Sequence, residues 1–217
     1  MSKPAKQTLT ERRAEELRLT IALTARDLFI ADGNTSATVE RICEIVGIAP
    51  RTFHRHFPVK EDLVMPLFRR TEAIIYEVLE QAAPDADPVE TLVDAFTAEI
   101  RRRQVPEFDR DFLALINADP QYRLRWLDWG EGLWDPVTEF LSVRMDLGDD
   151  PFLRTLPAKL VLHTIRQAYT HWVSAGNTED FAEVEALQRA GITRLISGLK
   201  AVTPQKKSPA AAGRRKA

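Results

Sequence analysis

The stretch from Thr38 to Val64, TVERICEIVGIAPRTFHRHFPVKEDLV, constrains this chain more than any other. Val39, Ile42, Cys43 and Val46 fall on one face of a short helix, with Thr38 placed to cap its start and Gly47 to end it. A second short helix opens at Pro50, where the missing N–H costs nothing, and closes at Phe57 because Pro58 cannot follow a helical residue. Two helices joined by so tight a turn, running into a third, form the layout of a helix-turn-helix, whose second helix enters the major groove of DNA.

The outer arc of that second helix carries the chemistry. Phe53 and Phe57, four apart, share the inward face, which leaves Arg51, Thr52, His54, Arg55 and His56 on the remaining arc. Arginine bonds guanine bidentately, threonine meets a thymine methyl or a phosphate, and histidine donates to either. Lys60 stands at the next helix start, where free backbone N–H groups favour a phosphate. His54 and His56 project about 200° apart on a helix, which argues against a metal pair. Cys43, the one cysteine, lies on an apolar face and reads as core; it excludes an internal disulfide and a Cys-rich zinc site. No metal and no cofactor are expected.

Residues 10–64 resemble the N-terminal domain of the TetR family of transcriptional regulators. The match is carried by Thr38-Val39-Glu40-Arg41-Ile42, Gly47-Ile48, Arg51 to Pro58 and Lys60-Glu61-Asp62-Leu63. The resemblance implies a homodimer whose recognition helices read a near-palindromic double-stranded DNA operator, and a small-molecule effector that releases it. It makes Thr38, Arg51, Thr52, His54, His56 and Lys60 the DNA contacts. Ala49, His54 and Val59 depart from the pattern, standing where a capping hydroxyl, a tyrosine and a capping serine are usual.

Around this segment the periodicity is helical almost throughout. The expected class is all-α, with about nine helices: 10–32, 38–47, 50–57, 60–81, 88–103, 107–117, 121–145, 152–175 and 179–201. The first lacks a capping box at Thr10, although Glu11 suits its first turn. The expected organisation is a flexible arm (1–9), the helix-turn-helix domain (10–58), a helical ligand-binding and dimerisation domain (59–202) and a disordered basic tail (203–217). Charge segregates along it. Residues 1–60 hold ten Lys/Arg against seven acids, residues 61–200 fifteen against twenty-five, and residues 201–217 five against none. A basic end suits a polyanion and an acidic body does not. The polar N-terminus and the absence of a long apolar run predict no membrane association and a cytoplasmic location.

The body is read from its polar and aromatic residues. Trp126, Trp129, Trp134 and Phe140 crowd one segment, and aromatic helices form either a core or an apolar pocket. Phe112 and the polar groups His163, Arg166 and Tyr169, embedded in apolar helices, complete the expected ligand-binding set. Gln167, His171, Val184, Leu187, Gly191, Leu195 and Gly198 form the expected dimer interface, with the glycines permitting close helix approach. Residues 113–125 (LALINADPQYRLR) with Trp172 resemble an actinobacterial TetR subgroup that includes a mycofactocin-associated regulator. That resemblance implies an acyl or otherwise largely apolar effector. No phosphate-cradling glycine loop, metal-ligand spacing or activated nucleophile points to an enzyme. The alternative reading is a small-molecule-binding helical dimer that does not bind an operator.

Overall fold

The computed structural model describes residues 8–103, 106–174 and 181–202. Its elements are α1 (Leu9–Asp32), α2 (Val39–Val46), α3 (Pro50–His56), a 3-10 turn over Lys60–Val64, α4 (Met65–Gln81), α5 (Pro88–Arg103), α6 (Pro106–Ala118), α7 (Pro120–Glu131), α8 (Trp134–Ser142), α9 (Pro151–Ser174) and α10 (Phe181–Val202). Strands are absent among the described residues, as the periodicity predicts. The tail 203–217 and the first seven residues of the arm lie outside them.

Three local outcomes differ from the sequence reading. Helix α1 starts earlier, because Thr8 and Glu11 form the capping box that Thr10 and Arg13 do not. The Thr8 hydroxyl accepts from the Glu11 N–H, and the Glu11 carboxylate accepts from the Thr8 N–H at 2.7 Å. The expected helix 60–81 opens as a 3-10 turn. Neither Val59 nor Val64 offers a side-chain cap, so the start of α4 is left to tertiary packing. The expected helix 121–145 is two helices, α7 and α8, broken at Gly132. That glycine has ordinary right-handed backbone angles (φ −67°, ψ −16°), so no left-handed conformation marks the break. The stops at Gly33 (φ 65°) and Gly47 (φ 77°) are left-handed caps, and there glycine is required.

Two apolar cores result. The first gathers Ile21, Ala25 and Phe29 of α1, Ile42 and Cys43 of α2, Phe53 and Phe57, together with Leu67 and Phe68 of α4. Phe112 and Ile116 of α6 and Tyr122 of α7 complete it. The second gathers Ile75 and Leu79 of α4, Leu92, Val93 and Phe96 of α5, Val137 and Leu141 of α8, Val161 and Ile165 of α9 and Ile192 of α10. Helix α4 thus serves both, its first turns in one and its last in the other. Trp129 of α7 packs against both cores and stacks on Phe68, ring centroids 5.3 Å apart.

Polar contacts pin the second core at its ends. Arg189 of α10 donates two hydrogen bonds to Glu90 of α5 at 2.7 and 2.9 Å. Arg144 lies 3.9 Å over the Phe140 ring and donates to the Ala82 and Ala83 carbonyls, just past the end of α4. No helix among the described residues is long and apolar enough to cross a membrane.

Candidate DNA-reading face and apolar cavity

The helix-turn-helix is built from its caps outward. Thr38 caps α2, its hydroxyl oxygen accepting from the Arg41 N–H at 3.2 Å while the residue stays exposed. Arg41 is itself ion-paired with Asp32 at the end of α1. Helix α3 starts at Ala49 without a side-chain cap, as its sequence requires. Phe53 and Phe57 are buried and tilted together, centroids 5.4 Å apart, and they fix the roll of α3. That roll leaves Arg51, His54 and Arg55 exposed and Thr52 half-buried at its flank. His54 stands edge-on to Phe53 at 5.3 Å, so its imidazole is braced against the core while its outer edge faces solvent.

Two residues expected on this face are turned elsewhere. Both ring nitrogens of His56 are buried without a hydrogen-bond partner. Burial, and then the charges of Arg18 and Arg55, hold its pKa below the ordinary histidine value. A one-residue difference in helical phase separates it from the exposed Arg55. The Lys60 ammonium donates to the Thr35 and Ala37 carbonyls at 2.9 and 3.2 Å and lies 5.9 Å over the Phe29 ring. Lys60 therefore ties the α1–α2 loop in place beneath Thr38, and its ammonium is engaged there instead of standing free for a phosphate.

The body holds an apolar cavity of about 120 Å³. Its walls are Leu67, Phe68 and Thr71 of α4, Phe96 and Ile100 of α5, Phe112 and Leu113 of α6, Trp126, Trp129 and Gly130 of α7, Leu133, and Leu162, Ile165, Arg166 and Tyr169 of α9. Phe112, Trp126, Trp129, Arg166 and Tyr169 of the expected ligand set are brought together here. Trp134 and His163 are not. Trp134 follows the break after α7 and packs instead under Lys159, whose ammonium lies 4.1 Å over its ring. His163 lies on the exposed side of α9. The sequence reading missed Phe68, Phe96, Gly130, Leu162 and Ile165. The last two belong to the same spaced stripe of α9 as Arg166 and Tyr169, which was a usable signal. Phe68 and Phe96 carried none beyond their hydrophobicity.

The cavity's two polar positions on α9 are set differently. The Tyr169 hydroxyl donates a short hydrogen bond to the Phe96 carbonyl, tying α9 to α5. Arg166 donates to the Leu127 carbonyl at 3.3 Å and lies 5.9 Å from the Trp126 ring centroid. Burial pushes its guanidinium below the ordinary arginine value, with Glu131 acting in the opposite direction.

Between face and cavity lies α7. Its N-cap Asp119 accepts from the Thr35 hydroxyl at 2.6 Å, which holds that carboxyl below the usual range. Arg125 bonds Asp62 at 2.7 Å. Tyr122 packs edge-on against Phe29 at 5.5 Å. One turn on, Trp126, Trp129 and Gly130 line the cavity.

The dimer set also divides. Gln167, His171 and Gly198 are exposed on the outer sides of α9 and α10. Val184 is fully buried within this chain, and Leu195 packs against the second core. Gly191 faces α9 of the same chain, where an added Cβ would stand 2.3 Å from Thr164 Cγ2. Val184, Leu195 and Gly191 thus serve the intrachain α9–α10 packing, because an amphipathic stripe does not say which helix covers it. Leu187 is half-buried.

Residues 21–65, which span α1 to the 3-10 turn, match the family described as bacterial regulatory proteins, tetR family. The chain carries the TetR-family DNA-binding domain. Relatives extend the likeness beyond it. A transcriptional regulator of Streptomyces glaucescens, TcmR, is 27% identical over 69% of this chain and 70% of its own length. The transcriptional repressor AcnR of Corynebacterium diphtheriae is 28% identical over 73% and 82% respectively. Among solved structures, Thermus thermophilus FadR, a TetR-family repressor in complex with lauroyl-CoA, superposes with a TM-score of 0.61. It is 18% identical and covers 90% of this chain and 100% of that one. Salmonella enterica GusR gives a TM-score of 0.58 at 21% identity, covering 84% and 96%. The family match covers the DNA-binding segment, and over most of the chain the fold is shared with solved TetR-family regulators.

Proposed function

We propose that this TetR-family regulator is a repressor that binds a near-palindromic operator as a homodimer and leaves it when a largely apolar effector fills the cavity. The observation that carries the reading is the roll of α3. Its two phenylalanines are committed to the core, so Arg51, His54 and Arg55 stand out together beside the exposed Thr38. The outer sides of α9 and α10 suit the dimer: Gln167 and His171 on one, and the short side chains Ala186, Ala190, Thr193 and Ser197 on the other, are all exposed. The cavity's aromatic and aliphatic walls suit an apolar effector. The lauroyl-CoA complex of the Thermus protein supports an acyl-like body for it. Helix α7 is the mechanical link, since it touches the effector site with Trp126 and Trp129 and the DNA-binding domain with Asp119 and Arg125.

Footprinting of the purified protein on the DNA upstream of its own gene tests this. A protected near-palindrome is expected, lost or weakened at least tenfold when Arg51 and His54 are both replaced by alanine. Unaltered binding by that variant would overturn the assignment of the face. No protection at low salt would favour instead a small-molecule-binding dimer that does not read DNA.

A further inference from the structure

The polar groups on the cavity wall are unbalanced. Arg166 brings a full positive charge to a wall that is otherwise almost wholly apolar, and among the described residues no carboxylate pairs with it. Among the described residues its one hydrogen bond is a long one, to a backbone carbonyl. The indole N–H of Trp129, on the adjoining wall, is buried with no acceptor. Both groups only donate. Among the described residues no aspartate or glutamate lines the cavity. Room for the guanidinium is made by Gly130, where a Cβ would stand 2.5 Å from an Arg166 terminal nitrogen. A charge half-withdrawn from water, with a backbone carbonyl as its hydrogen-bond partner and Glu131 acting on it without an ion pair, is costly, and an arginine stays protonated there. The missing component is an acceptor, and a planar carboxylate matches a guanidinium with two parallel bonds.

We propose that the effector is a carboxylic acid with an apolar body, its carboxylate held by Arg166 with the Trp129 N–H as the second donor. The inference rests on reading the cavity as the effector site, and it names the class of molecule that site selects. Thr71 and Tyr169, the other polar residues on the wall, direct their hydroxyl protons to the Leu67 and Phe96 carbonyls, so neither competes as a charged partner.

Calorimetric titration of the full chain with two matched pairs tests it: decanoate against 1-decanol, and 2-naphthoate against 2-naphthalenemethanol. At least one acid is expected to bind ten times or more tightly than its alcohol. Arg166→Met should bring that ratio to about one while leaving the alcohol's affinity in place. Arg166→Lys, which keeps the charge and loses the fork, should retain part of the preference, and it serves as the second variant should the first fail to fold. Trp129→Phe, which reshapes the wall for both probes, should weaken the acid more than the alcohol. Equal binding of acid and alcohol, or a preference that survives Arg166→Met, overturns the proposal. If the alcohol releases DNA as well as the acid does, the effector site stands and only its acid selectivity falls. Failure of all four probes to bind overturns both readings together.

Discussion

Gly191 separates two accounts of α10, and a substitution there decides between them. In a helix interior, Gly→Ala gains about 1 kcal/mol from backbone entropy alone. Here the new methyl would stand 2.3 Å from Thr164 Cγ2, far inside contact distance. Thr164 cannot readily rotate away, because its hydroxyl donates to the Leu160 carbonyl at 2.9 Å and fixes the rotamer. Overpacking of this kind costs about 1–3 kcal/mol, so Gly191→Ala should be net destabilising by about 1 kcal/mol. For a chain of this size that lowers Tm by about 2–4 °C. Thr164→Ser removes Cγ2 and keeps the hydroxyl. In that background the same Gly191→Ala change should stabilise, because the helix gain remains and the clash is gone. The coupling between the two sites should be about 2 kcal/mol, read from thermal or urea melts of the four proteins. If Gly191 instead lay in a dimer seam, Thr164→Ser would not rescue it, and the loss would grow as the protein is diluted. Either result would refute the intrachain assignment.

Other outcomes follow from the same geometry. Lys60→Met should lower stability by about 1–2 kcal/mol, since two loop carbonyls lose a charged donor; the salt dependence of DNA binding should keep its slope, whereas loss of a phosphate contact would reduce that slope by about 1. His56 titrates below its unfolded value, so the unfolded chain binds the proton more readily. Stability should be complete above about pH 6.5 and fall as the pH drops from there through the depressed folded value; pH-dependent melts of His56→Gln should lack that fall. Tyr122→Phe removes a buried hydroxyl that has no partner and keeps the ring against Phe29. Its Tm should be equal to or higher than the parent's, and a clear drop would show that the hydroxyl is bonded after all.

What was legible in the sequence is what local chemistry determines. Thr38 and Gly47 bound α2, Pro50 opens α3, and the four-residue spacing of Phe53 and Phe57 sets its roll. The capping box at Thr8 and Glu11 is equally local, but it lies ahead of the point where the apolar rhythm begins. The break between α7 and α8 was not local. Gly132 adopts helical angles, so nothing in its own backbone ends the helix, and an unbroken helix would put Trp134 on the cavity wall instead of under Lys159. Burial of His56 beside exposed Arg55 turns on which side of α3 meets α1. The stripe on α10 is amphipathic whether its cover is α9 of the same chain or a second copy. Such questions of partnership are answered by tertiary contacts, which periodicity does not encode.

The placement of α6 and α7 bears on transplantation. Phe112, Ile116 and Tyr122 complete the core around Phe29 and Phe53, so the reading head is not closed by its own residues. A chimaera that grafts residues 8–58 onto a foreign body would leave that core open unless the host supplied counterparts of Leu63, Val64, Leu67 and Phe68 as well as of those three side chains. Exchange of DNA specificity in this chain is therefore better made on the surface of α3 alone, and exchange of effector specificity on the α9 side of the cavity, with α7 left untouched as the shared joint.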